Sequence, residues 1–108
     1  MKRGEVWWVN FDPSTGSEIK KIRPAIIVSN DSANRNLTRV IVVPVTSNTT
    51  KVYPGEARIT VENKTCKAMA DQMMAADKGR LKTKIGELTS ADLQLLEDAM
   101  LVQLGLPR

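Results

Sequence analysis

The sequence predicts an α+β fold that is mainly β: a small, strongly bent barrel of short strands with one C-terminal α-helix. Three observations carry this. Short apolar runs recur along residues 4–81, each bounded by Gly, Pro, Asn, Asp or Ser. Apolar residues at helical spacing, Leu93, Leu96, Met100 and Leu104, come only at the end. The 108 residues suffice for one core and hold no internal repeat or linker, so residues 1–108 are expected to form a single domain.

Taken in order, residues 4–11 alternate, with Trp7, Val9 and Phe11 on one face and Val6 and Trp8 on the other, and read as the first strand. Core packing accounts for at least one tryptophan, although an adjacent pair also suits base stacking. Residues 12–22, D-P-S-T-G-S-E-I-K-K-I, hold Pro13, Gly16 and two serines and read as a loop. Hairpin loops usually take about 2–5 residues, so this length marks a functional or mobile segment. The loop carries Glu18 and delivers Lys20, Lys21 and Arg23 close together; plain solvated charges are the alternative.

Residues 25–28 form a continuous apolar run, as a strand buried on both faces requires. Pro24 fixes its own φ and pushes Arg23 into an extended conformation, on a rim where a strand tolerates proline. Residues 29–36 are polar, with room for a single helical turn. Residues 40–46 are the next strand, with Pro44 near its end and Thr46 at its exit. Residues 47–50 leave it as a polar loop, and residues 51–55 contain a Pro-Gly turn.

Glu56–Val61 alternates with Ala57, Ile59 and Val61 inward, residues 62–65 turn the chain back, and residues 66–70 are a short strand ending in Asp71-Gln72. Met69, Met73 and Met74 lead to a further short strand at Arg80-Leu81, and residues 82–87 read as a basic link. Thr89 with Asp92 comes close to a capping box and opens a helix of about four turns, which Gly105 and Pro107 stop. Its apolar stripe is a lid on the barrel or part of a dimer face.

Composition narrows the chemistry. The chain has no histidine and one cysteine, which excludes the usual Ser or Cys triads, His-ligated zinc and any intrachain disulfide. Cys66 is expected to be a small buried strand residue. Residues 1–88 carry 15 Lys and Arg against 9 Asp and Glu, and residues 89–108 carry 1 against 3. A basic body with a mildly acidic tail favours polyanions, nucleic acid first. Residues 1–4 are basic but run into a strand rather than an apolar signal core, and no apolar run approaches spanning length, so a soluble cytoplasmic protein without membrane contact is expected. From the residues alone, Arg23 and Thr46 read first as ordinary strand-end residues and only second as a site, because exposed polar residues are the norm.

Five stretches together resemble one family over nearly the whole chain: G-E-V-W-W-V-N-F-D-P-S-T-G-S-E, R-P-A-I-I-V-S-N, V-V-P-V-T-S-N, Y-P-G-E and A-D-Q-M. In that order and spacing they resemble the MazF/PemK-type toxins of type II toxin–antitoxin systems. The resemblance implies a homodimeric CcdB/PemK-type barrel related to SH3-like barrels. It implies an mRNA interferase: a sequence-specific endoribonuclease cutting single-stranded RNA with no metal or cofactor. It also implies a MazE-like antitoxin whose acidic disordered tail blocks the RNA groove.

Carried over by position, the resemblance makes Arg23 and Thr46 the principal catalytic residues and Glu18 a loop residue that contacts or orients RNA. It places Asp71 and Gln72 near the substrate groove. One branch of the family has an arginine where this chain has Met69, so the chemistry falls to Arg23 with Thr46 rather than to an Arg–Asp scheme centred on Asp71. Glu18 is the candidate base. Lys20, Lys21 and Lys51 would hold the RNA backbone, and Ser14, Thr15, Asn30, Ser47 and Asn48 would read sequence. Two alternatives remain at this level. One is a CcdB-like gyrase poison, against which the final L-G-L-P-R counts because CcdB relies on a tryptophan-containing end; the other is a non-catalytic nucleic-acid-binding barrel.

Overall fold

The structure, a computed structural model, describes residues 1–12 and 22–107. Its strands are β1 (Glu5–Asn10), β2 (Ile22–Ile27), β3 (Arg39–Thr46), β4 (Glu56–Val61), β5 (Lys64–Met69), β6 (Met74–Asp77) and β7 (Leu81–Glu87); the helices are α1 (Asp31–Asn36) and α2 (Ser90–Leu104). Every pairing is antiparallel, in the order β4-β5-β3-β2-β1-β7, with β6 also on β3. The sheet curls into an incompletely closed barrel with α2 packed on β4.

Local chemistry explains the curl. The β4–β5 hairpin closes over two residues, Glu62 and Asn63, whose φ values of 50° and 63° are left-handed and match the twist of the flanking strands. β5 and β6 address successive halves of β3, at residues 45–46 and 39–42, with a 3₁₀ turn (Ala70–Gln72) between them. That break falls beside Pro44, which is fully buried and has no N–H to give a ladder. Two register shifts along β1–β7 bend the other end of the sheet.

The strands divide one core into two. Val6, Ile26, Val28, Val43, Val45, Ile59, Ala68 and Leu96 form one cluster. Val9, Phe11, Ala25, Ile27, Val40, Val42, Ala76 and Leu81 form the other. Successive residues of β2 and β3 therefore serve opposite clusters, which is why residues 25–28 are apolar without interruption. α2 covers the first cluster with Leu96 and Ala99; Asp92 Oδ2 accepts from Thr60 N at 2.9 Å, and Glu97 pairs with Arg3 at 2.7 Å. The expected Thr89 cap is present, and Gly105 ends the helix at φ 69°.

Three expectations are corrected. Residues 82–87 are not a link but most of β7, an edge strand whose outward lysines and threonine hide its pattern. The strand expected at Arg80-Leu81 begins only at Leu81, as the start of β7, because Arg80 closes a second 3₁₀ turn, and a separate strand, β6, precedes that turn. The apolar stripe of α2 ends sooner than its spacing implies, since Leu104 is largely exposed. Among the described residues, no helix is long and apolar enough to cross a membrane.

Candidate active site

β2 and β3 pair from Ile27↔Val42 to Ala25↔Pro44. Arg23 and Thr46 lie just beyond the last of these pairs. Thr46 faces Lys67 on β5, and Lys67 faces Arg58 on β4. With neighbouring strands about 4.8 Å apart, Thr46, Lys67 and Arg58 form a cross-strand row, and Arg23 shares a groove with Thr46 at its end.

Arg23 and Thr46 line one open groove of about 340 Å³, together with Trp8, Pro24, Ser47 and Lys64. Arg23 is half-buried, and with the described residues it forms no ion pair, so its guanidinium is available to an anion. Thr46 Oγ1 accepts from Asn48 N at 3.4 Å, which leaves its proton to donate into the groove. The two tryptophans separate here. Trp7 is half-buried with Nε1 donating to Glu5 Oε1 at 2.9 Å, whereas Trp8 is 41% exposed and opposite Pro24. Trp8 is the member of the tryptophan pair that reaches the groove, and Lys64 is a groove residue that the sequence reading did not single out, because only strand register brings it to Arg23.

The remaining predicted residues fall in several places. Ser47 lines the first groove, while Asn48 and Lys51 line a second one with Thr50, Tyr53 and Lys67. Asn30 caps α1, its Oδ1 accepting from Ala33 N at 2.8 Å, and lines neither groove. Asp71 is exposed in the 3₁₀ turn after β5, and Gln72 Nε2 donates to Met69 Sδ at 3.5 Å; neither reaches the two grooves. Ser14, Thr15, Glu18, Lys20 and Lys21 lie outside the described residues.

Cys66 reaches the groove wall from a buried position, and burial pushes its thiol above the usual range. With Sγ turned to Ile59 O at 3.7 Å, it is a packing residue rather than a nucleophile. Among the described residues, no three His, Cys, Asp or Glu side chains gather as metal ligands. The site offers a fixed cation, a hydroxyl donor and an exposed indole, a set suited to a phosphodiester with its base.

The family of PemK-like, MazF-like toxins of type II toxin–antitoxin systems matches residues 2–104. The chain belongs to this family. This MazF-like toxin is 42% identical over 115 residues to endoribonuclease MazF9 of Mycobacterium tuberculosis, with 98% of each chain covered. It is 56% identical over 61 residues to the probable endoribonuclease MazF1 of that organism, covering 51% of this chain and 66% of MazF1. Its fold is similar to that of an endoribonuclease solved with its cognate antitoxin from a mycobacterial species, with TM-score 0.85, 26% identity and coverage of 100% and 98%. MazF of Deinococcus radiodurans gives TM-score 0.85 at 26% identity, covering 98% of this chain and 97% of that one.

Proposed function

We propose that this MazF-like toxin is an endoribonuclease that cuts single-stranded RNA at a short recognition sequence, without a metal ion, and that an antitoxin neutralises it. The observation that carries the reading is the single groove shared by Arg23 and Thr46, two residues that the chain could have placed anywhere on its surface. A non-catalytic barrel gives no reason for that convergence.

RNA brings its own nucleophile. The 2′-hydroxyl attacks the adjacent phosphorus, the bond from phosphorus to the 5′-oxygen breaks, and the fragments end in a 2′,3′-cyclic phosphate and a 5′-hydroxyl. The protein has to align these atoms and hold the charge that gathers on the phosphorane. Arg23 supplies a permanent, planar cation for two phosphate oxygens, and Thr46 adds a neutral hydrogen bond to the same group. A guanidinium keeps its proton and its charge and is a poor base, so Arg23 stabilises charge first and protonates the leaving oxygen second. Glu18 is the candidate to take the 2′-hydroxyl proton.

Lys20, Lys21 and Lys51 hold the backbone, and Ser14, Thr15, Ser47 and Asn48 contribute to base choice; Asn30, Asp71 and Gln72 meet RNA beyond the groove. The antitoxin partner is supported by the relative solved with its own antitoxin. A MazE-like acidic, disordered tail fits the same groove, with carboxylates on Arg23 and Lys64 and apolar side chains on Trp8 and Pro24. The toxin acts as a homodimer in the cytoplasm, each subunit adding to one basic RNA path. Replacing the 2′-hydroxyl at the cut nucleotide by hydrogen should abolish the cut while leaving binding; continued cutting at that position would overturn the mechanism.

A further inference from the structure

The two grooves meet along one short segment: Thr46 and Ser47 line the first, and Asn48 lines the second, a space of about 360 Å³ walled also by Lys51, Tyr53 and Lys67. We infer that this second groove is a nucleobase subsite in which Tyr53 is the platform that stacks the base of a nucleotide flanking the scissile step. The inference rests on the ribonuclease reading and adds to it a residue to which that reading gives no role.

Tyr53 is 58% exposed, which leaves its ring open to a stacking partner. Yet its backbone is held firmly. Tyr53 N donates to Glu56 Oε1 at 2.9 Å, and Glu56 N donates to Tyr53 O at 2.8 Å. The same carboxylate oxygen pairs with Lys67 Nζ at 3.1 Å, the two side chains only 9% and 12% exposed. Lys67 Nζ also donates to Lys51 O at 2.8 Å and stands 5.8 Å from the centroid of the Tyr53 ring, within cation–π range. One enclosed ion pair thus fixes Lys51 and Tyr53 together, so little ordering is left to be done when a base arrives.

The position along the sheet fits a neighbouring nucleotide. Lys67 is the direct cross-strand partner of Thr46, so the second groove begins about 5 Å from the strand that carries the hydroxyl. An RNA strand with its reacting phosphate on Arg23 and Thr46 would lay the adjoining base against Tyr53 and the next phosphate near the Lys51 ammonium. Asn48 Oδ1 is occupied by Thr50 N at 3.1 Å, which leaves the amide NH2 as a donor to a base edge. Stacking accepts any base, so Tyr53 supplies affinity and Asn48 supplies choice.

The test is an abasic scan of an RNA oligonucleotide that the wild-type protein cuts, comparing wild type with Tyr53→Ala, Tyr53→Leu and Tyr53→Phe. At one position flanking the cut, removing the base should lower wild-type kcat/KM about tenfold and leave Tyr53→Ala nearly indifferent. On intact RNA, Tyr53→Ala and Tyr53→Leu should be about tenfold slower, and Tyr53→Phe, which keeps the ring, should stay near wild type. If wild type and Tyr53→Ala respond alike at every position, the subsite is overturned. The same holds if Tyr53→Ala cuts normally and loses only its grip on an acidic antitoxin peptide. Wild-type cleavage is the control that separates the two readings, since its absence would overturn the ribonuclease reading itself.

Discussion

Arg23 of β2 and Thr46 of β3 line one groove just beyond the last pair of their strands, Ala25↔Pro44. The pairing of these strands stops just where prolines occupy both of them, Pro24 beside Arg23 and Pro44 within β3. Without their N–H groups the ladder has less to hold it, and the strand ends open into a groove instead of closing as flat sheet. Both side chains line that groove, so both can address one phosphate.

Arg23→Ala should lower kcat on RNA by about 10²–10³, the usual loss when one preorganised charge stabiliser is removed. Arg23→Lys should recover only part of this, because an ammonium restores the charge without the planar fork. Thr46→Val should cost roughly tenfold, as expected for one neutral hydrogen bond. Steady-state cleavage of a fluorogenic RNA measures all three, and equal activity of Arg23→Ala and wild type would remove Arg23 from the chemistry.

Glu5 gives a pH signature of folding. Its burial opposes ionisation, but hydrogen bonds from Trp7 Nε1 and Lys2 N and the Lys84 ammonium outweigh burial and hold its carboxyl below the usual range. A depressed folded-state value means that the stabilisation is complete above the unfolded value, about 4.3, and is lost as pH falls through the folded one. Glu5→Gln should therefore cost about 1–3 kcal/mol near pH 7, and the gap from wild type should shrink below about pH 4. Denaturant unfolding at several pH values measures it; a constant gap would contradict the assignment.

α2 should be the most sensitive lid on the first core cluster. Leu96 is fully buried, so Leu96→Ala should cost about 2–5 kcal/mol. Thr89→Ala removes the cap that accepts from Asp92 N and should cost about 1 kcal/mol. Leu104→Ala, at an exposed position, should fall within about 0.5 kcal/mol of wild type. Thermal unfolding orders the three.

Cys66 should react slowly with thiol reagents in the native protein, because it is buried and its thiol is pushed up. Cys66→Ala should keep cleavage activity and lose only packing. A Cys66→Ala protein that folds but cannot cut would require a role for sulfur in the groove.

Much of this was legible in the residues. The alternation of Glu56–Val61, the continuous run at residues 25–28 and the Thr89 cap announced their elements, because each pattern has one physical cause. β7 was not legible: an edge strand with Lys82, Thr83 and Lys84 outward has the composition of a link. Arg23 and Thr46 could be singled out by their places at strand ends. That they share a groove with Trp8 and Lys64, and that Tyr53 stands in the next, depends on register between strands distant in sequence, which local patterns do not encode.

The most direct measurement incubates wild type and Arg23→Ala with a long, weakly structured RNA in excess EDTA and maps every new end. The account predicts discrete cuts at one short sequence, 5′-hydroxyl ends, and the same cuts at least about 10²-fold slower with Arg23→Ala. Uncut RNA with folded wild-type protein, or cuts that form equally fast with Arg23→Ala, would contradict it.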